Sequence, residues 1–218
     1  MKKPSRYLQV LFLYCFISLS NITNLHASRP DPDTTAKIID QMIQKLIVPN
    51  HQSCFWGDRL LTLDKSAGFL SDPVFRTAYD TIQNSHQYDQ YASPNTIAWR
   101  LHTLVWAAKS ALTIEGDFVE CGVFKGDMSW VISQTVDFAS SKKKLYLYDT
   151  FEGFSPKYSS EEDFPEHPEF LNIANQYYTD PQLYHDVCDR FSNRSDIKVI
   201  KGVVPDILLK EAPEKIFK

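Results

Sequence analysis

Two short segments of this 218-residue chain carry side chains whose types and spacing could do chemistry. The first is Glu120-Cys121-Gly122-Val123-Phe124-Lys125-Gly126-Asp127-Met128-Ser129, which follows an apolar run and leads into a helical pattern. Gly122 and Gly126 lack the side chains that would keep a ligand off the backbone. The helix start behind them offers free N–H groups to a carboxylate or phosphate, with the Ser129 hydroxyl as an added donor. The second segment is the apolar run ending at Asp149, a carboxylate placed to accept both hydroxyl hydrogens of a ribose. Its separation from Gly122 is 149 − 122 = 27 residues, beyond the roughly 20 of the dinucleotide fingerprint. The glycines are spaced ExGxxxG instead of GxGxxG, which also disfavours a nicotinamide dinucleotide. Alone, the turn is an ordinary turn and Asp149 an ordinary cap or loop acid. Placed together after consecutive strands, they point to a nucleoside ligand without a pyrophosphate.

These residues need a frame that brings two turns to one end of a sheet. Residues 117–121 read as a strand, 127–139 as a helix, and 145–148 as a second strand. Such a strand-helix-strand unit pairs its strands in parallel through a right-handed crossover. A polar and aromatic loop is expected from Thr150 to about Tyr178, then a helix over 181–191 and a third strand at Ile197–Ile200. Ahead of this unit, helical spacing of apolar residues predicts helices over 35–48, 69–82 and 97–112, the second starting behind Ser71-Asp72-Pro73, where Ser or Asp can cap and Pro fits the first turn. The fold class expected is α/β, with a helical N-terminal region over 30–114 and a partial Rossmann-type domain over 115–218.

Three segments, Gly116-Asp117-Phe118-Val119-Glu120-Cys121-Gly122-Val123-Phe124-Lys125-Gly126, Leu147-Tyr148-Asp149-Thr150-Phe151-Glu152-Gly153-Phe154 and Val199-Ile200-Lys201-Gly202-Val203-Val204-Pro205-Asp206, resemble the macrocin O-methyltransferase family. The likeness runs from about Thr96 to the end. It implies a class I, Rossmann-type methyltransferase that uses S-adenosylmethionine to methylate a sugar or other small-molecule hydroxyl, in many members with a divalent metal such as Mg. It further implies that Glu120, Cys121, Gly122, Val123 and Phe124 line the methionine end of the cofactor and that Asp149 and Phe151 hold ribose and adenine. Gly126, Ser129 and Gly202 complete the implied cofactor-binding set. One departure stands out: the family's Asp-rich DxDxY segment and later acidic pair have no counterpart before Lys218. The expectation is therefore a truncated chain, inactive alone, with no metal ligands, no assignable catalytic base, and a three-stranded sheet whose first strand is left with an exposed edge. The competing expectation is a degenerate, exported or membrane-tethered binding protein that keeps the fold.

Composition bounds the partners. The formal charge of −4 and a single basic run, Lys142-Lys143-Lys144, argue against nucleic acid. Lys2, Lys3 and Arg6 precede an apolar stretch over residues 8–19, and Leu25-His26-Ala27 resembles a cleavage site, so residues 1–29 read as a signal peptide or membrane anchor. That leader conflicts with a cofactor kept in the cytoplasm, and localisation and self-association stay open. Cys54, Cys121 and Cys188 form no disulfide framework or zinc spacing. Glu161, Glu162, Asp163 and Glu166 read as a solvated lid. His167, His185 and Arg100 are secondary candidates for proton transfer or cofactor contact, and Asn193-Arg194-Ser195 matches a glycosylation sequon.

Overall fold

A computed structural model of the chain describes residues 37–39, 41–57, 60–83, 97–165 and 169–213. The expected leader, the acidic Glu166 and His167 fall outside the described residues. No helix among the described residues is long and apolar enough to cross a membrane.

The first part of the chain is less helical than its pattern predicts. Residues 37–39 and 41–42 are helical and run into a π-helical turn, Ile43–Ile47, and a 3-10 turn, Val48–Asn50, where Pro49 ends the segment. Within it Ile43 is buried, whereas Met42 and Leu46 are exposed. A hairpin that the sequence reading missed follows: strand β1, Cys54–Gly57, pairs antiparallel with β2, Leu60–Leu63. Helix α1, Pro73–Gln83, starts where expected. The Asp72 carboxylate accepts the Val74 and Phe75 amides at 2.9 and 3.2 Å, and Pro73 needs no partner in the first turn. Helix α2, Ala98–Ala111, buries Leu101, Val105 and Ala108 along one stripe. Phe75, Tyr79 and Ile82 of α1 meet Leu101 and Val105 of α2 in one core cluster, with Phe55 from the hairpin and Val131 from the next helix.

The strand-helix-strand unit forms as its period changes predict. Strand β3, Phe118–Cys121, is followed by α3, Asp127–Thr135, and by β4, Leu145–Asp149. The helix predicted to run on to 139 stops at Val136, which is extended, and a short α4, Phe138–Ser141, restarts behind Asp137, whose carboxylate accepts the Ser140 amide at 2.9 Å. The segment 150–178, expected as loop, contains a 3-10 turn at Glu161–Asp163 and a full helix, α5, Phe170–Tyr178. Helix α6, Leu183–Arg190, then leads to β5, Ile197–Lys201.

The three strands form one parallel sheet in the order β3-β4-β5. Leu145 and Leu147 face a core with Ile132, Phe138, Leu183, Val187 and Phe191, while Tyr146 and Tyr148 face Ile200, Val204 and Ile207 on the other side. Alternation along β4 therefore divides the two layers, as a sheet covered on both faces requires. This is a small Rossmann-like sheet whose order puts the carboxyl ends of β3 and β4 side by side. Among the described residues, β3 and β5 are its edges.

Candidate functional site

The site begins where β3 and β4 end. Asp149 is the last residue of β4, and its partly buried carboxylate reaches sideways to the turn that leaves β3. Oδ2 accepts the Val123 and Phe124 amides at 2.6 and 2.8 Å, and Oδ1 accepts the Phe151 amide at 2.7 Å. One carboxylate thus ties together two turns that the sheet alone would leave independent.

Both turns need such a tie. Phe124 and Phe151 sit at φ 49° and 53°, in the left-handed region that a residue with a Cβ adopts at a cost. Strain of this kind persists where surrounding contacts over-determine it, and it concentrates at ligand sites. Here the restraining contacts are the amide bonds to Asp149. Val123 and Phe151 are buried in the core, so each offers its backbone to the site and not its side chain. The Phe151 ring, expected against an adenine, instead packs against Tyr184. Phe124 turns outward toward Tyr177 and Tyr178 of α5, at ring distances of 5.7 and 4.9 Å.

Glu120, one residue before the end of β3, lies under the turn. Its carboxylate accepts the hydroxyl of Ser129, which is fully buried on the first turns of α3. Ser129 was expected to face a ligand directly; its hydroxyl is spent on Glu120. Burial pushes the Glu120 carboxyl up to about 7, the Ser129 hydrogen bond opposes that rise, and the nearby Asp149 charge adds to it. Glu120 is half-buried as a residue. Cys121, beside it, is also pushed up, by burial and by Glu120.

The remaining expected residues separate. Gly126 starts α3 at φ 73°, and a Cβ there would meet the Phe191 ring at 3.0 Å. Gly202 closes β5, where its amide donates to the Asp149 carbonyl at 2.8 Å, and a Cβ would strike Ile207 at 2.7 Å. Its glycine has a packing reason. His185 is exposed on α6, beside the Tyr184 ring, and Arg100 is exposed on α2. Glu161, Glu162 and Asp163 are exposed in a turn with a capping box between Ser160 and Asp163. Two contributors carry no local signal in the sequence: α5 with its two tyrosines, and Arg190, which reaches the turn from α6.

A family model, Macrocin-O-methyltransferase (TylF), matches residues 72–216. The chain belongs to that family. The match takes in everything from the cap of α1 to beyond β5, so the likeness starts earlier than the Thr96 read from motifs. No curated protein matches the chain. Macrocin O-methyltransferase family membership makes this an O-methyltransferase-class enzyme, with S-adenosylmethionine as the general methyl source and a small molecule as acceptor. Among the described residues no three His, Cys, Asp or Glu side chains converge as a metal ion would need.

Gly122 is the residue that exposes the site's shape. It sits at φ 88°, and a Cβ added to it would meet nothing within 4 Å. Gly122→Ala should therefore cost about 1–2 kcal/mol of stability through backbone strain alone and should place a methyl in the space above the turn. Gly126→Ala should cost more, because the clash with Phe191 adds to the strain. Urea melts of both variants check the order, and a Gly122→Ala loss exceeding that of Gly126→Ala would contradict it.

Proposed function

We propose that the crevice over Gly122, between the β3 and β4 turns, binds S-adenosylmethionine and that the chain methylates a hydroxyl of a sugar or other small molecule. The observation that carries this reading is the pair of strained turns locked by Asp149 around open space at the carboxyl end of a parallel sheet, where ligands of such sheets bind. When bound, S-adenosylmethionine supplies an electrophilic methyl group on a sulfonium centre.

The chain's own residues do the holding. Oδ2 of Asp149 already accepts two amides, so its hydrogen-bonding capacity is filled. Oδ1 has one close amide and a distant Thr150 hydroxyl at 3.4 Å, which leaves it an acceptor site for a ribose hydroxyl. Glu120, poised between its protonated and ionised forms near neutral pH, gives the floor of the crevice a group that a cationic ammonium end would ionise and pair with. Gly122 lets that end approach the backbone. Phe124, Tyr177 and Tyr178 form an aromatic group beside the β3 turn. Rate enhancement then comes from placing acceptor oxygen and methyl carbon in line.

Calorimetric titration of the full chain with S-adenosylhomocysteine tests the reading. The expected result is a dissociation constant of about 1–100 μM. No heat and no change in melting temperature at millimolar ligand would overturn it and would favour the reading of a binding protein that retains the fold without the cofactor.

A further inference from the structure

The Lys125–Asp127 stretch follows one left-handed residue, Phe124 at φ 49°, and contains a second, Gly126 at φ 73°. Asp149 restrains the near side of the turn through Val123 and Phe124. The far side is held from outside the sheet. Arg190, the last residue of α6, donates through Nη1 to the Lys125 carbonyl at 2.5 Å and to the Asp127 carboxylate at 2.6 Å. Its guanidinium also lies over the Trp130 ring at 5.4 Å, and the neighbouring Phe191 ring fills the space beside Gly126.

We propose that Arg190 is a positioning residue that holds Lys125–Asp127 in ligand-binding shape and so sets the affinity of the turn for an S-adenosylmethionine-type ligand. The claim rests on the cofactor site proposed above. Asp127 is 5% exposed and Arg190 only 21%, so the pair is largely removed from water and loss of Arg190 takes a charged partner from a buried carboxylate. Asp127 stands at the first helical position of α3, where a negative charge also complements the helix end. Without Arg190 the Lys125 carbonyl and the Asp127 carboxylate each lose a donor, so the segment loses the restraint that joins it to α6. Lys125 follows directly on Phe124, whose amide Asp149 holds, so a shift of the released segment pulls on the Asp149 tie and reaches the turn beside Gly122 without unfolding the sheet.

A second arginine supplies the control. Arg194 grips the Asp196 carboxylate with Nε and Nη2 at 2.9 and 2.8 Å and donates to the Ser133 carbonyl at 2.7 Å. It also ties α3 to the segment between α6 and β5, but at the opposite end of α3 and away from the turn. Its side chain is 29% exposed, close to that of Arg190. The two variants therefore remove comparable links at different places.

The experiment compares the full chain with Arg190→Ala, Arg190→Lys and Arg194→Ala by hydrogen exchange over residues 122–127 and by titration with S-adenosylhomocysteine. Arg190→Ala should speed exchange in that segment and raise the dissociation constant ~10-fold, a loss typical of a mispositioned binding element. Arg190→Lys, whose ammonium lacks the planar fork, should recover part of the affinity. Arg194→Ala should lower the melting temperature while leaving the dissociation constant within about twofold. Equal weakening by Arg190→Ala and Arg194→Ala, or unchanged affinity in Arg190→Ala, overturns the proposal. Absence of binding by the unaltered chain overturns the cofactor reading and the affinity claim with it. Exchange at 122–127 that responds to Arg190→Ala alone then still upholds the restraint, so the two failures are told apart.

Discussion

Asp149→Ala should release both turns at once and remove cofactor binding. Three backbone amides donate to this carboxylate within 2.8 Å. Hydrogen bonds to a charged group contribute roughly 1.5–3 kcal/mol each. Because they share one acceptor and one partly buried site they will not add in full. A loss of about 3–5 kcal/mol is expected, large against the total stability of a domain. Affinity for S-adenosylhomocysteine should fall more than ~100-fold, since the same change deletes Oδ1 and lets Phe124 and Phe151 leave the left-handed region. Asp149→Asn discriminates between the two roles. Its single carbonyl oxygen can still accept amides from one turn, but its NH2 group must then face a donor of the other. It should lose less stability than Ala and still bind poorly. Denaturant melts and calorimetry on the three proteins read both quantities. A melt of Asp149→Ala that superposes on the unaltered chain would refute the tie between the turns. A destabilised variant with intact affinity would remove the ribose from Oδ1.

Legibility in the sequence followed the range of the interactions. The unit from β3 through β4 was readable because its strands are short apolar runs and its helix has a separate period, and both signals are local. Asp72 and Pro73 announced α1 for the same reason. The hairpin β1–β2 was not announced. The residues between its strands, Asp58 and Arg59, are not an Asn-Gly or similar pair, and its strands are only four residues each. Helix α5 was hidden because Phe170, Tyr177 and Tyr178 read as loop aromatics. A structureless connection of nearly thirty residues was itself an argument against that assignment. At the site, residue types located the two turns but could not say what each side chain does. The Asp149 carboxylate meets backbone amides, which leave no mark in a sequence. Phe151 and Val123 act through their backbones while their side chains fill the core. Arg190 and Asp127 are 63 residues apart and share no local pattern. Only the fold, by returning α6 alongside α3, brings them together.

The apoprotein should become less stable as pH rises from about 4.5 to 7, and Glu120→Gln should flatten that slope. In the unfolded chain the Glu120 carboxyl ionises at its ordinary value of 4.5, whereas in the folded protein it holds its proton up to about 7. Between these values the native state binds more protons, so stability falls with rising pH and levels off above the folded value. The full difference corresponds to an upper bound of about 3 kcal/mol. Other groups act elsewhere or with the opposite sign. Hydrogen bonds from His51, Ser140, Arg194 and Lys157 hold Asp64, Asp137, Asp196 and Asp206 below the usual range, and their contributions are lost only in more acid solution. His102 is pushed down by burial and by Lys109. It is neutral in the folded protein where the unfolded chain is still charged, so it adds stability as pH rises toward 6.5 and partly masks Glu120. Subtracting the Glu120→Gln curve from that of the unaltered chain cancels these terms. The expected remainder is near zero at pH 4 and grows in favour of the variant up to pH 7–8. Ligand should reverse the preference. A cationic ligand end repays ionisation of Glu120, so binding near pH 7 should release about half a proton per ligand to buffer in the unaltered chain and none in Glu120→Gln. Calorimetry in two buffers of different ionisation enthalpy measures that proton directly. A difference curve that is flat across pH 4.5–7 would mean that Glu120 is solvated in the folded state, and the floor of the crevice would lose its role in holding a cation.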